Sequence, residues 1–277
     1  MDYIISHLAM YNIYMKHCLE ILANRYPQLL LPCKEGISKS EEYKNICLRG
    51  EECIYPLTFS KNPDDFLETV ETPAGSVDVL SLRDRQDFVH ACRCLGHKCE
   101  PVEIPDSTGA MALFGLNNWE KVRAGLDNYK DNFIILSSGN YSNVSNLDIY
   151  KETDGQINLS EQDWINKSIT IRKYHELTHF VMRKTYPDDI SFIRDELIAD
   201  AIGLISVFGY FDTRLIKLFL GIESNIYREG GRLQNYEGGN IENIPNVLKM
   251  IDELKNKIIK YENSDIDTIW KNIKELM

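Results

Sequence analysis

His175, Glu176 and His179 form an H-E-x-x-H pattern inside a stretch that carries no Pro or Gly from Ser168 to Tyr186. At 3.6 residues per turn, side chains four apart share one helix face, so the two imidazoles can reach a single metal ion. Glu176 projects from the adjoining position, where it can act on a water held by such an ion. Ile171, Leu177, Phe180 and Val181 supply the apolar positions that a packed helix needs.

A catalytic zinc site normally takes three protein ligands and keeps one position open. Glu196 is the best third ligand, because it falls on the next predicted helix, after a turn containing Pro187, Asp188 and Asp189. A helical hairpin can bring that carboxylate back to the first helix. Asp200 lies four residues further on the same face and can accept the outer ring N–H of a ligand imidazole. Asp195 would replace Glu196 if the helical phase were shifted by one residue. The apolar stripe Ile193, Leu197, Ala201 and Leu204 favours Glu196.

His175-Glu176-Leu177-Thr178-His179 followed by Glu196-Leu197-Ile198-Ala199-Asp200 resembles the gluzincin metallopeptidases, of which thermolysin is the familiar member. The resemblance implies zinc on His175, His179 and Glu196, Glu176 as general base and Asp200 as support for a histidine. It covers about Lys173 to Leu204 and departs from the family in two ways. The interval from His179 to Glu196 is shorter than in thermolysin, and no later histidine exists to stabilise the transition state, since His179 is the last in the chain. Tyr227, Arg228, Arg232 and Tyr236 are the candidates for that donor, with Tyr227 and Tyr236 preferred. The metzincin pattern H-E-x-x-H-x-x-G-x-x-H is absent after His179.

The function expected is that of a zinc-dependent metallopeptidase acting on a peptide or protein. A zinc hydrolase of a non-peptide amide is the alternative, although the glycine-cysteine motif of deformylases has no match here. A catalytically inactive zincin-like binding protein is the third reading.

Composition narrows the field. The net charge of −11 argues against nucleic-acid binding, and 43% apolar residues suffice for a substantial core. No stretch of apolar residues is long enough to span a bilayer, and Met1 to Glu20 lacks a basic leader. Seven cysteines, an odd number, favour free thiols and a cytoplasmic location. Cys92, Cys94, His97 and Cys99 form a tight cluster that could hold a second metal. The plainer reading places Phe88, Cys92 and Leu95 on the buried face of a helix.

The elements that must position the site follow from local signals. A helix is expected over Tyr3 to Tyr26, loops from Pro27 to Pro73, and a helix opened by Ser81 and running to about Lys98. A short strand at Pro101 to Ile104 precedes an irregular Pro- and Gly-punctuated segment. A helix follows Asn118, and Phe133 to Leu136 reads as a strand. That strand is placed where a sheet edge could pair with extended substrate. The site helix is expected to start between Ser168 and Ile171 and to end before Pro187, and the next helix runs to about Phe208. A shorter helix ends at Gly221, a Gly- and Tyr-rich loop spans Tyr227 to Asn240, and helices over Val247 to Tyr261 and Ile266 to Leu276, the latter capped by Ser264, finish the chain. The fold class expected is α+β, a mainly helical zincin-like domain with a small sheet before the site helix. Residues 1–77 are expected to form an accessory helical and loop region, or to pack into the same core, and residues 78–277 the catalytic domain.

Overall fold

The computed structural model describes residues 18–277 except 57, 58, 61, 190, 229, 230 and 237–242. The expected helix at Tyr3 to Tyr26 lies outside the described residues except for its end, α1 (Cys18–Arg25). The described chain forms two compact units. The first comprises the residues up to Thr69 with Asp78–Ser137, and the second comprises Val70–Val77 with Ser138–Met277. The fold is mainly helical, with a small mixed sheet that precedes the long helix in sequence.

The sheet has the order β1 (Phe66–Thr72), β2 (Gly75–Leu82), β4 (Lys130–Ser137), β3 (Ala110–Asn117). β2 runs parallel to β4, and β3 runs antiparallel to it. β4 therefore has a partner on each side and offers no free edge for substrate, contrary to the role expected of Phe133 to Leu136. Its Phe133–Leu136 run is completely buried, as expected of a central strand. Ser81 belongs to β2 and caps nothing. The helix that follows, α2 (Arg85–Gly96), is capped by Asp84, whose side chain accepts from the amides of Gln86 and Asp87. Val77, Val79, Leu80 and Leu82 are all buried, and strand burial there outweighs the capping-box signal. Pro101 to Ile104 is irregular, and α3 (Trp119–Arg123) is capped by Asn118 as expected.

After β4 the chain passes through a 3-10 turn at Tyr141–Asn143 into α4 (Asn146–Glu152), where Ser145 and Asp148 form a complete capping box. Long α5 (Glu161–Thr185) starts earlier than expected, because the Ser160 side chain already accepts from the Asp163 amide. Six residues later α6 (Phe192–Phe208) returns along it. The pairs Ile171 with Gly203, His175 with Asp200 and His179 with Glu196 run in opposite directions along the two helices, so these form an antiparallel hairpin. The second unit is completed by α7 (Thr213–Leu220), α8 (Ile244–Ile258) and α9 (Ile266–Lys271). Asp265, rather than Ser264, caps α9 through the Thr268 amide.

Close approach of the hairpin depends on Gly203. A Cβ there would lie 2.9 Å from both the Cγ2 and the carbonyl oxygen of Ile171. Gly203→Val is therefore expected to destabilise the protein by about 1–3 kcal/mol, the range for overpacking, seen as a lower urea midpoint. An unchanged midpoint would show that the helices separate at no cost. From the opposite side, Trp270 donates its indole N–H to the Thr178 hydroxyl at 3.0 Å, and that hydroxyl donates to the Tyr174 carbonyl at 2.6 Å. Helix α5 is thus fixed from both sides one residue before its second histidine.

Candidate metal centre

The hairpin brings three ligand groups together. His175 Nε2 and His179 Nε2 are 3.1 Å apart. The Glu196 carboxylate meets both, with Oε2 3.4 Å from His175 Nε2 and Oε1 3.2 Å from His179 Nε2. In a tetrahedral zinc site with bonds of about 2.0–2.1 Å, donor atoms stand about 3.3–3.4 Å apart. The three groups thus lie close to the spacing an ion requires. Both histidines are buried, and Glu196 retains about a fifth of its side-chain exposure (20%). Glu196, and not the neighbouring Asp195, faces the imidazoles.

The supporting groups fix which ring nitrogen faces inward. His175 Nδ1 is 2.8 Å from Asp200 Oδ1, and an acidic partner there places the proton on Nδ1 and leaves the Nε2 lone pair for the cluster. Tyr141 donates its hydroxyl proton to Asp200 Oδ1 at 2.6 Å and also lies 2.9 Å from His175 Nδ1. Asp200 is completely buried. Arg232 answers its charge, with one guanidinium nitrogen 2.9 and 3.0 Å from the two Asp200 oxygens and 3.3 Å from Glu196 Oε2. The same guanidinium donates to Ser142 Oγ at 2.8 Å and, through Nε, to the Tyr236 hydroxyl. It also sits over the Tyr141 ring, 5.1 Å from its centroid.

These contacts make the cluster a place for positive charge. Burial opposes a proton on His175, but the Asp200 and Glu196 carboxylates outweigh it and raise its pKa to about 9. Burial likewise disfavours the Glu196 anion, yet the two imidazoles hold its carboxyl far below the usual range. For Asp200, burial is outweighed by Arg232 and His175, which keep it ionised. Burial pushes the Tyr141 and Tyr236 hydroxyls up, so both remain protonated donors at neutral pH.

Of the residues expected from the sequence, His175, His179, Glu196 and Asp200 converge. Glu176 lies half-buried beside His175 on α5, with no ion pair among the described residues. Tyr236 reaches the cluster through Arg232, whereas the Tyr227 hydroxyl is engaged within its own loop, 2.7 Å from the Gly231 carbonyl and 3.0 Å from Gln234. Sequence reasoning did not find Tyr141 or Ser142. They sit on the turn after β4, where Ser142 and Asn143 adopt left-handed φ values of 54° and 58°. The Tyr141 amide is anchored by Ser168 Oγ at 3.0 Å, which ties this turn to the start of the site helix.

Two helices of a hairpin, carrying H-E-x-x-H and a glutamate that closes on both histidines, define a gluzincin-type ligand arrangement. By sequence, residues 6–127 and 122–273 match the model of a family described as "Family of unknown function (DUF7005)", and the chain belongs to that family. Neither the curated proteins nor the solved structures contain a match.

Proposed function

We propose that this chain is a zinc-dependent metallopeptidase, with zinc held by His175, His179 and Glu196. The observation that carries the reading is the convergence of two Nε2 atoms and one carboxylate at 3.1–3.4 Å, backed by an ionised Asp200 on the outer nitrogen of His175. The bound ion would supply a Lewis acid for a carbonyl oxygen and make an adjacent water acidic near neutral pH.

The remaining work falls to the chain's own groups. The Glu176 carboxylate takes the proton of the attacking water and passes it to the amide nitrogen as the C–N bond breaks. Tyr236, whose oxygen accepts from Arg232 Nε, keeps its own proton for the carbonyl oxygen on which negative charge develops. Tyr227 is the less favoured donor, because its proton is directed within its loop. Asp200 holds His175 in its orientation, and Arg232 secures both Asp200 and the tyrosine. A cytoplasmic setting is supported by the seven free cysteines. No described helix is long and apolar enough to cross a membrane.

The test is an unbiased peptide library incubated with the purified chain. Cleavage is expected, lost on chelation and restored by added zinc. A chain that binds zinc and cleaves only small non-peptide amides would overturn the peptidase assignment while leaving the hydrolase.

A further inference from the structure

A second convergence of ligand groups lies within the first unit, and it differs from the set suggested by sequence spacing. Cys33 follows a 3-10 turn at Pro27–Leu30, and His90 and Cys94 stand four apart on one face of α2. Cys33 Sγ is 3.9 Å from Cys94 Sγ and 3.5 Å from His90 Nδ1, and Cys94 Sγ is 3.3 Å from His90 Nε2. Cys94 is completely buried, while Cys33 and His90 are half-buried. Of the other residues in the sequence cluster, Cys92 is buried in the core, the Cys99 thiol faces the Gln28 carbonyl at 3.2 Å, and His97 ends the helix. Only Cys94 is common to both sets.

The distances have a specific meaning. Tetrahedral zinc with bonds of about 2.3 Å to sulfur and about 2.0–2.1 Å to nitrogen places two sulfurs about 3.8 Å apart, and sulfur and nitrogen about 3.5 Å apart. The Cys33–Cys94 and Cys33–His90 Nδ1 separations fall on those values, and one ligand atom from each of the three residues lies within 4.8 Å of the other two. The Leu29 carbonyl lies 3.2 Å from His90 Nε2 and can take that ring proton, leaving the Nδ1 lone pair towards Cys33. Metal-bound histidines commonly give their outer N–H to a backbone carbonyl in this way. A disulfide would require the sulfurs to close to about 2.05 Å.

We propose that Cys33, His90 and Cys94 bind a second zinc ion, with the fourth position left to solvent on the half-buried Cys33 side. Binding displaces the two thiol protons to water and involves no electron transfer. This site shares no residue with the histidine–glutamate centre, so either can fail without the other.

Titration of the metal-free full chain with cobalt(II) tests it, because a thiolate–cobalt bond gives a near-ultraviolet charge-transfer band that a nitrogen and oxygen site cannot give. The band is expected to be complete by two equivalents in the wild-type chain, which carries both sites, and at one equivalent in the His175→Ala/His179→Ala variant, where it should survive. Cys33→Ser should abolish it, whereas Cys53→Ser, at another half-buried cysteine, should leave it intact. Absence of the band in the wild-type chain would overturn the site whatever the variants do. So would its persistence in Cys33→Ser, or a mass two hydrogens low from a Cys33–Cys94 disulfide.

Discussion

Glu176→Gln is expected to lower peptide cleavage by about 10²–10⁴-fold, the usual contribution of a positioned general base, while zinc content stays at one ion per chain at the histidine–glutamate centre. The physical reason lies in the division of labour along α5. His175 and His179 point at the cluster, four residues apart, and Glu176, which follows His175 directly on α5, is not among the three ligand groups. An amide of the same shape preserves packing and metal affinity but cannot take up a proton at neutral pH. Zinc analysis and cleavage kinetics on the same preparation separate the two effects. If zinc were lost together with activity, Glu176 would be holding the site together. If activity survived, another base would have to be found.

Arg232→Met should cost about 3 kcal/mol of stability, the low end of the range for stranding a buried charge. Asp200 is wholly buried, and Arg232 is the one cation that touches both of its oxygens among the described residues. The estimate sits at the low end because Tyr141 and His175 still contact the carboxylate after the change. Adding Asp200→Asn to Arg232→Met removes the stranded charge and is expected to recover part of the loss. The two changes are therefore less than additive, as expected for groups in direct contact. Urea unfolding of the two single variants and the double variant measures this. A loss under 1 kcal/mol for Arg232→Met would mean that Asp200 is held by its hydrogen bonds alone.

The parts of the site that were legible in the sequence are those set by helical periodicity. The spacing of His175 and His179, and of Glu196 and Asp200, needs only 3.6 residues per turn and one hairpin to become a cluster. Tyr141 was invisible because it reaches Asp200 across 59 positions from a turn whose left-handed residues, Ser142 and Asn143, carry no glycine signal. Arg232 stood among the loop candidates as a donor, with no partner named by its local sequence. Its actual partner, Asp200, lies 32 positions away and is fixed by burial.

The same logic explains the fold. α3 and β4 were readable from Asn118 and the Phe133–Leu136 run. The β1–β2 hairpin was obscured by Pro73 and by the charged and polar positions of Phe66–Thr72, where burial is only partial. Cys33 meets His90 across 57 positions, a pairing that no local spacing announces.

The most direct measurement is an anomalous-difference map at the zinc absorption edge from crystals of the chain loaded with zinc. A peak is predicted at bonding distance from His175 Nε2, His179 Nε2 and the Glu196 carboxylate, with one coordination position facing Glu176. Stoichiometric zinc in the crystals with no peak between those three side chains would contradict the account.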